Sequence, residues 1–175
     1  IPGVTQLQGD ITLKETANKI IGLFGGQLAD LVVSDGAPDV TGMHDIDEYV
    51  QAQLIIAALN ITTHLLKPGG TFVAKIFRGR NTSLLYAKLK VFFPTVHIAK
   101  PKSSRGSSVE AFIVAQGYTP PKGFVPTMVP VTGQVDVTTL DDESPNRLIL
   151  PFIAAGDLSG FDADRTYDIE EDHKV

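Results

Sequence analysis

The fold is decided by the segments ADLVVSDGAPD (residues 29–39) and KPGGTFVAKIF (residues 67–77), which are joined by an apolar helical pattern from Tyr49 to Leu66. Each segment contains a short apolar run that predicts a strand. Two strands joined by a crossover helix lie parallel in one sheet, and ligands bind where such strands end. Asp35 and Lys75 both arrive at that edge, so they are candidate active-site residues.

The rest of the chain continues this alternation. Only the last two strands have no helix between them, which predicts a hairpin and therefore an antiparallel strand at the edge of the sheet. The predicted class is a three-layer α/β sandwich with a mainly parallel sheet and an antiparallel last strand. The predicted elements are the strand Val4–Ile11, helix Lys14–Phe24, strand Ala29–Val33, helix Tyr49–Leu66, strand Thr71–Phe77, helix Ser83–Phe93, strand Val96–Ala99 and strand Val109–Ala115.

Composition excludes several classes of protein. The 175 residues suffice for one core, and 43% hydrophobic with 20% charged residues is typical of globular domains. The absence of cysteine excludes disulfides and cysteine-based zinc sites, and is compatible with a cytoplasmic protein. The four histidines lack the spacing of metal ligands, so no metal is expected. No apolar run is long enough for a membrane span, and no secretory signal is visible.

Charge is distributed unevenly along the chain. Residues 67–105 contain nine basic residues and no acid, whereas residues 118–175 contain eleven acids and four bases. We therefore divide the chain into a folded domain, residues 1–117, and an acidic, proline-rich extension, residues 118–175. The basic stretch suits a polyanionic partner, although lysines on a solvated face would give the same count.

Four motifs identify a family. They are LLKPGG at 65–70, SDGAP at 34–38, VAKIF at 73–77 and SRGSSVE at 104–110. Together they resemble the FtsJ-like RNA 2′-O-ribose methyltransferases. GAPDVTG at 36–42 and KIFRGR at 75–80 are similar to the eukaryotic branch that acts on the tRNA anticodon loop. The resemblance implies a Rossmann-like class I methyltransferase fold that uses S-adenosyl-L-methionine.

The resemblance also assigns residues. The family has a Lys-Asp-Lys-Glu tetrad, of which the last three members match Asp35, Lys75 and Glu110. Asp10 matches the acid that binds the adenine amino group, and Asp35 also matches the acid near the sulfonium. The first lysine and the Gly-rich loop have no counterpart in this sequence, so we expect residues 1–117 to be the C-terminal two-thirds of the methyltransferase domain.

The implied activity is 2′-O-methylation at the first anticodon-loop nucleotide and at the wobble nucleotide of tRNA. A WD-repeat and a helical-repeat protein are the implied partners that direct site choice. The apolar segment Leu148–Ile153 is a candidate surface for docking such a partner. A ribosomal RNA 2′-O-methyltransferase and a catalytically idle RNA-binding module remain as alternatives. The residues that suit contacts with RNA phosphates are Arg78, Arg80, Lys100, Lys102 and Arg105.

The chemistry leaves the role of Lys75 open. It could remove the proton from the 2′-hydroxyl, or it could position the reactants by its charge. Each candidate also has a structural interpretation: Asp10 could cap a helix, Asp35 could stabilise a turn, and Lys75 could form a buried ion pair with Glu110.

Overall fold

The computed structural model describes residues 2–38, 44–77, 82–105 and 108–128. Every helix and strand predicted from Lys14 onwards is present, although α2 and β2 begin about five residues earlier than expected. No helix in these ranges is both long and apolar enough to span a bilayer. The elements are α1 Lys14–Phe24, β1 Ala29–Ser34, α2 His44–Leu65, β2 Leu66–Phe77, α3 Thr82–Phe92, β3 Thr95–Ala99 and β4 Glu110–Gln116.

The four strands form one sheet in the order β1–β2–β4–β3. β1 is parallel to β2, and β4 is antiparallel to both β2 and β3. Three strands therefore run in one direction and β4 opposes them, which confirms the predicted α/β class with an antiparallel last strand. The predicted edge position of β4 is wrong. β4 lies inside the sheet because it buries Ala111, Ile113 and Ala115, whereas β3 buries Val96 alone and forms the edge.

The predicted first strand, Val4–Ile11, is also wrong. These residues belong to no strand in the described part of the chain, and the side chains of Val4 and Leu7 are 55% and 42% exposed. A strand exists only where a neighbour pairs with its backbone, and none of the four strands of the described sheet pairs with this segment. The chain instead turns into α1 through a hydrogen bond from the Leu13 amide to the Asp10 carbonyl.

The core lies on one face of the sheet. Phe72, Ala74 and Ile76 point from alternate positions of β2 into a cluster that both α2 and α3 help to build. On the opposite face, Leu31 and Val33 of β1 are 54% and 60% exposed. Of the three predicted layers, the described residues therefore supply the sheet and one helical layer, with α1 packed beside α2.

The Gly-Gly turn is a bulge inside β2. Ala29 pairs with Leu66 and Leu31 pairs with Thr71, so residues 67–70 loop out of the ladder. Gly69 has a φ of +80°, which favours glycine, and its amide donates to the Tyr118 carbonyl at 2.9 Å. This bond ties the bulge to the residues that follow β4, and so helps to fix where β2 and β4 sit relative to each other.

The beginning of the predicted C-terminal extension packs on the core. Tyr118 is 3% exposed, and the ring of Phe124 meets that of Phe92 edge-on at 5.0 Å between centroids. Residues 129–175, which include the apolar segment Leu148–Ile153, lie outside the described residues. The division at residue 118 therefore stays a prediction.

Candidate active site

Three sequence-predicted residues meet at one edge of the sheet. Asp35 follows the last residue of β1, Lys75 lies near the end of β2, and Glu110 begins the antiparallel β4. The Lys75 ammonium lies 3.3 Å from a carboxylate oxygen of Asp35 and 3.2 Å from one of Glu110. The strand register explains this arrangement, since Ser34 pairs with Ala74 and Glu110 pairs with Phe77.

The three side chains lie on the sheet face that α2 and α3 do not cover. Lys75 alternates with the buried Ala74 and Ile76, so its side chain leaves β2 on the opposite side from the core. The Lys75 side chain is 18% exposed, whereas those of Asp35 and Glu110 are 71% and 45% exposed. The carboxylates of Asp35 and Glu110 therefore remain within reach of a ligand.

The two carboxylates favour the charged form of the lysine. The hydrogen bond to Glu110 raises the pKa of Lys75 most; partial burial opposes this effect, and the hydrogen bond and charge of Asp35 add to it. The pKa therefore lies above its ordinary value, and the side chain is an ammonium at neutral pH. The site is thus a cation held between two acids, which is a geometry suited to orienting a polar group.

Asp10 lies in the turn that precedes α1. One carboxylate oxygen accepts hydrogen bonds from the backbone amide and the hydroxyl of Thr12, at 2.8 and 2.7 Å. These bonds lower the pKa of Asp10, and its side chain is exposed. The helix itself begins after Leu13, which makes no side-chain capping bond. Asp10 therefore shapes the turn, and its exposed carboxylate remains able to accept a bond from a ligand.

Gln51 is a residue at this site that the sequence did not identify. Its side-chain amide nitrogen donates to the carbonyl of Gly36 at 3.1 Å and to that of Lys75 at 2.7 Å. The only signal in the sequence is an amide side chain within a helix that is otherwise mostly apolar. That signal does not say which backbone the amide contacts.

The basic loop between β3 and β4 lies at the same edge as Lys75. Ala99, Phe112 and Lys75 are neighbours across the three strands, and the loop leaves β3 at Ala99. Lys100, Lys102 and Arg105 are exposed on it, and the Lys100 ammonium donates to the Ser108 carbonyl at 2.9 Å. The predicted contacts Arg78 and Arg80 lie outside the described residues. Another member of the basic stretch, Lys67, is ion-paired with Asp30.

Metal ligands do not cluster in the described ranges. No group of three histidine, aspartate or glutamate side chains there is placed to hold an ion. His97 is exposed on β3, and His64 is partly buried at the end of α2, where burial lowers its pKa.

Comparison with known proteins adds a family and several relatives. A family described as FtsJ-like methyltransferase matches residues 1–118. The tRNA (cytidine(32)/guanosine(34)-2′-O)-methyltransferase of Mus musculus is 60% identical over an alignment of 176 positions that covers 98% of this chain and 54% of that protein. The Homo sapiens protein of the same name is 59% identical, with 97% of this chain and 52% of that protein covered. The chain thus spans about half the length of these curated relatives.

A solved structure supports the same fold. A Plasmodium falciparum protein described as a ribosomal RNA methyltransferase superimposes with a TM-score of 0.59 at 26% identity. The match covers 67% of this chain and 65% of that one.

Proposed function

This chain belongs to the FtsJ-like methyltransferase family, and we propose that the protein methylates ribose 2′-hydroxyls in the tRNA anticodon loop with S-adenosylmethionine as methyl donor. The observation that carries the proposal is the Lys75 ammonium held at 3.3 and 3.2 Å from Asp35 and Glu110 at the carboxyl edge of a parallel strand pair. An idle RNA-binding module would need the basic loop but would have no use for this triad.

The relatives support the choice of nucleotides. The mouse and human proteins, whose names give cytidine 32 and guanosine 34 as their targets, are 60% and 59% identical to this chain. The alignments extend over 98% and 97% of the chain, and so reach beyond residue 118 into the predicted acidic extension. We propose the same two tRNA positions for this protein. The ribosomal RNA alternative is supported by the more distant Plasmodium structure.

The residues present fit the proposed cofactor. Asp35 offers a carboxylate that is 71% exposed beside the reacting position, and a carboxylate suits a sulfonium cation. Asp10 offers an exposed carboxylate that can accept a hydrogen bond from an adenine amino group. S-adenosylmethionine supplies an electrophilic methyl group when bound. We propose that Asp10 and Asp35 hold it, and that Asp35 links the cofactor site to Lys75.

We propose that Lys75 is the base that receives the proton of the 2′-hydroxyl. In its neutral form its nitrogen has a lone pair for that proton, and the ammonium that results is stabilised at once by Asp35 and Glu110. The same two carboxylates fix the direction of the nitrogen, so that a hydroxyl placed on the open face meets it in one orientation.

RNA would reach this edge over a basic surface. We assign phosphate contacts to Lys100, Lys102 and Arg105 of the β3–β4 loop, and to Arg78 and Arg80, which lie outside the described residues. The WD-repeat and helical-repeat partners remain proposals that rest on the family resemblance. A cytoplasmic location is proposed on the absence of cysteine, which suits a reducing compartment.

The experiment that tests the function is a methyl-transfer assay with the intact natural protein and its purified partners. Radiolabelled S-adenosylmethionine is supplied with an unmodified tRNA, and with matched tRNAs that carry a 2′-deoxynucleotide at position 32, at position 34 or at both. We expect label in the first tRNA, partial loss with each single substitution, and none with the double one. Label in a ribosomal RNA fragment but not in tRNA would favour the alternative.

The base role predicts a pH dependence. Because its partners raise the pKa of Lys75, the neutral amine is a minor fraction at neutral pH. The single-turnover rate should therefore rise about tenfold per pH unit between about pH 7 and pH 9, without a plateau in that range. A rate that does not change with pH would show that the ammonium is the active form, and that Lys75 acts through its charge.

A further inference from the structure

We propose that Gln51 is a positioning residue that sets the spacing of Asp35 and Lys75 by joining the backbones that carry them. One side-chain nitrogen donates to both, at 3.1 Å to the Gly36 carbonyl and at 2.7 Å to the Lys75 carbonyl. An amide nitrogen has two hydrogens, so both bonds form at once. The expected effect on turnover rests on the proposed function, whereas the two hydrogen bonds of Gln51 do not depend on it.

The bridge lies where the backbone ladder stops. The β1–β2 pairing runs to Ser34 opposite Ala74, and Asp35 and Lys75 are the first residues beyond the last pair. Beyond Ser34 no β1–β2 pairing is present among the described residues, so the ladder does not fix the distance between these two segments. The Gln51 amide takes over this function, since it links residue 36 on one side to residue 75 on the other.

Gln51 is well placed to be rigid. It lies inside the 22-residue helix α2, and it is 1% exposed. Helix packing restricts its rotamers, and low surrounding polarity strengthens its hydrogen bonds. Among the described residues, the hydrogen bonds of this side chain are the two that its nitrogen donates to the Gly36 and Lys75 carbonyls.

The same helix supplies a matched control. Gln53 is two residues further on and 8% exposed, and neither polar atom of its side chain has a hydrogen-bond partner among the described residues. Gln51→Met and Gln53→Met both replace a buried amide by an unbranched apolar side chain of similar length. Gln51→Met removes the two hydrogen bonds that form the bridge. Gln53→Met also removes a buried amide from α2, but it leaves these two hydrogen bonds in place.

The test compares these variants in the intact natural protein with its partners. We expect Gln51→Met to lower the turnover number about tenfold to a hundredfold, because small displacements of catalytic groups have effects of that size. The KM values for tRNA and S-adenosylmethionine should stay within about threefold, and the melting temperature should change by about 4 °C or less. Gln53→Met should keep the wild-type turnover number.

A second measurement does not depend on methyl transfer. Limiting acetic anhydride is added, and acetylation of Lys75 relative to Lys67 is measured by peptide mass spectrometry. In Gln51→Met the amine should react about threefold or more faster than in the wild type, because its distance to Asp35 is no longer fixed. Gln53→Met should show the wild-type ratio.

The outcomes separate the two proposals. If the wild type methylates no RNA but the Lys75 acetylation ratio still rises only in Gln51→Met, the proposed function fails and the positioning role stands. Equal turnover numbers and equal acetylation ratios in the two variants would overturn the positioning role. A loss of activity that follows the loss of folded protein would also overturn it, since it would show that Gln51 supports stability alone.

Discussion

Replacement of Lys75 by methionine should lower the turnover number for methyl transfer by about a thousandfold, with S-adenosylmethionine affinity changed by about twofold or less. Methionine keeps an unbranched side chain of similar length but has no nitrogen to accept a proton or to bind Asp35 and Glu110. Both carboxylates are substantially exposed, so water can solvate them in the variant and the fold should persist. The measurement is single-turnover transfer from radiolabelled cofactor to tRNA.

Two further variants make this result specific. Lys67→Met removes an ammonium from the same strand, where it pairs with the exposed Asp30, and should leave turnover unchanged. Lys75→Arg keeps the positive charge but cannot lose a proton in the accessible pH range. We expect Lys75→Arg to be as inactive as Lys75→Met. Retention of a tenth or more of the wild-type turnover by Lys75→Met would contradict any catalytic role, whereas activity in Lys75→Arg alone would indicate a role through charge.

The parts of the site that the sequence could predict are those set by local patterns. A strand, a crossover helix and a second strand give two parallel strands, so the pattern predicted that Asp35 and Lys75 lie at the same edge of the sheet. The strand–helix–strand pattern was not enough to place Glu110 at the site, because the position of Glu110 depends on the register of β4 against β2. The family motif identified it, and the register explains why it reaches Lys75 from the antiparallel direction.

The errors arose where pairing partners are chosen by the whole fold. Val4–Ile11 was predicted to be a strand, but in the described part of the chain no strand pairs with it. β4 was expected at the edge, although its row of small and branched residues fits a central position better than the exposed β3. Gln51 was missed because the pattern of α2 shows that an amide lies in the helix, but not that two carbonyls end within its reach.

Phe72→Ala is the substitution from which we expect the largest loss of stability, about 3–5 kcal/mol in the free energy of unfolding. Phe72 is fully buried, and its ring stacks on that of Phe93 at 6.3 Å between centroids. Phe93 in turn meets Tyr118 at 5.5 Å, so the cavity would open at the point where β2, α3 and the residues after β4 pack together. A loss of this size is a large part of the total stability of a typical domain. Urea unfolding followed by circular dichroism measures it.

Ile98→Ala serves as the control, because Ile98 is 46% exposed on the edge strand β3. We expect this substitution to lower the free energy of unfolding by about 1 kcal/mol or less. Equal losses for the two substitutions would contradict a core shared by α2 and α3.

The position of Phe72 also predicts that its substitution should leave the active site intact. Phe72 faces the helices, whereas Lys75, three residues along the same strand, faces the open side of the sheet. Below its unfolding temperature Phe72→Ala should therefore keep most of its turnover per folded molecule, while Lys75→Met should keep most of its stability and lose its turnover.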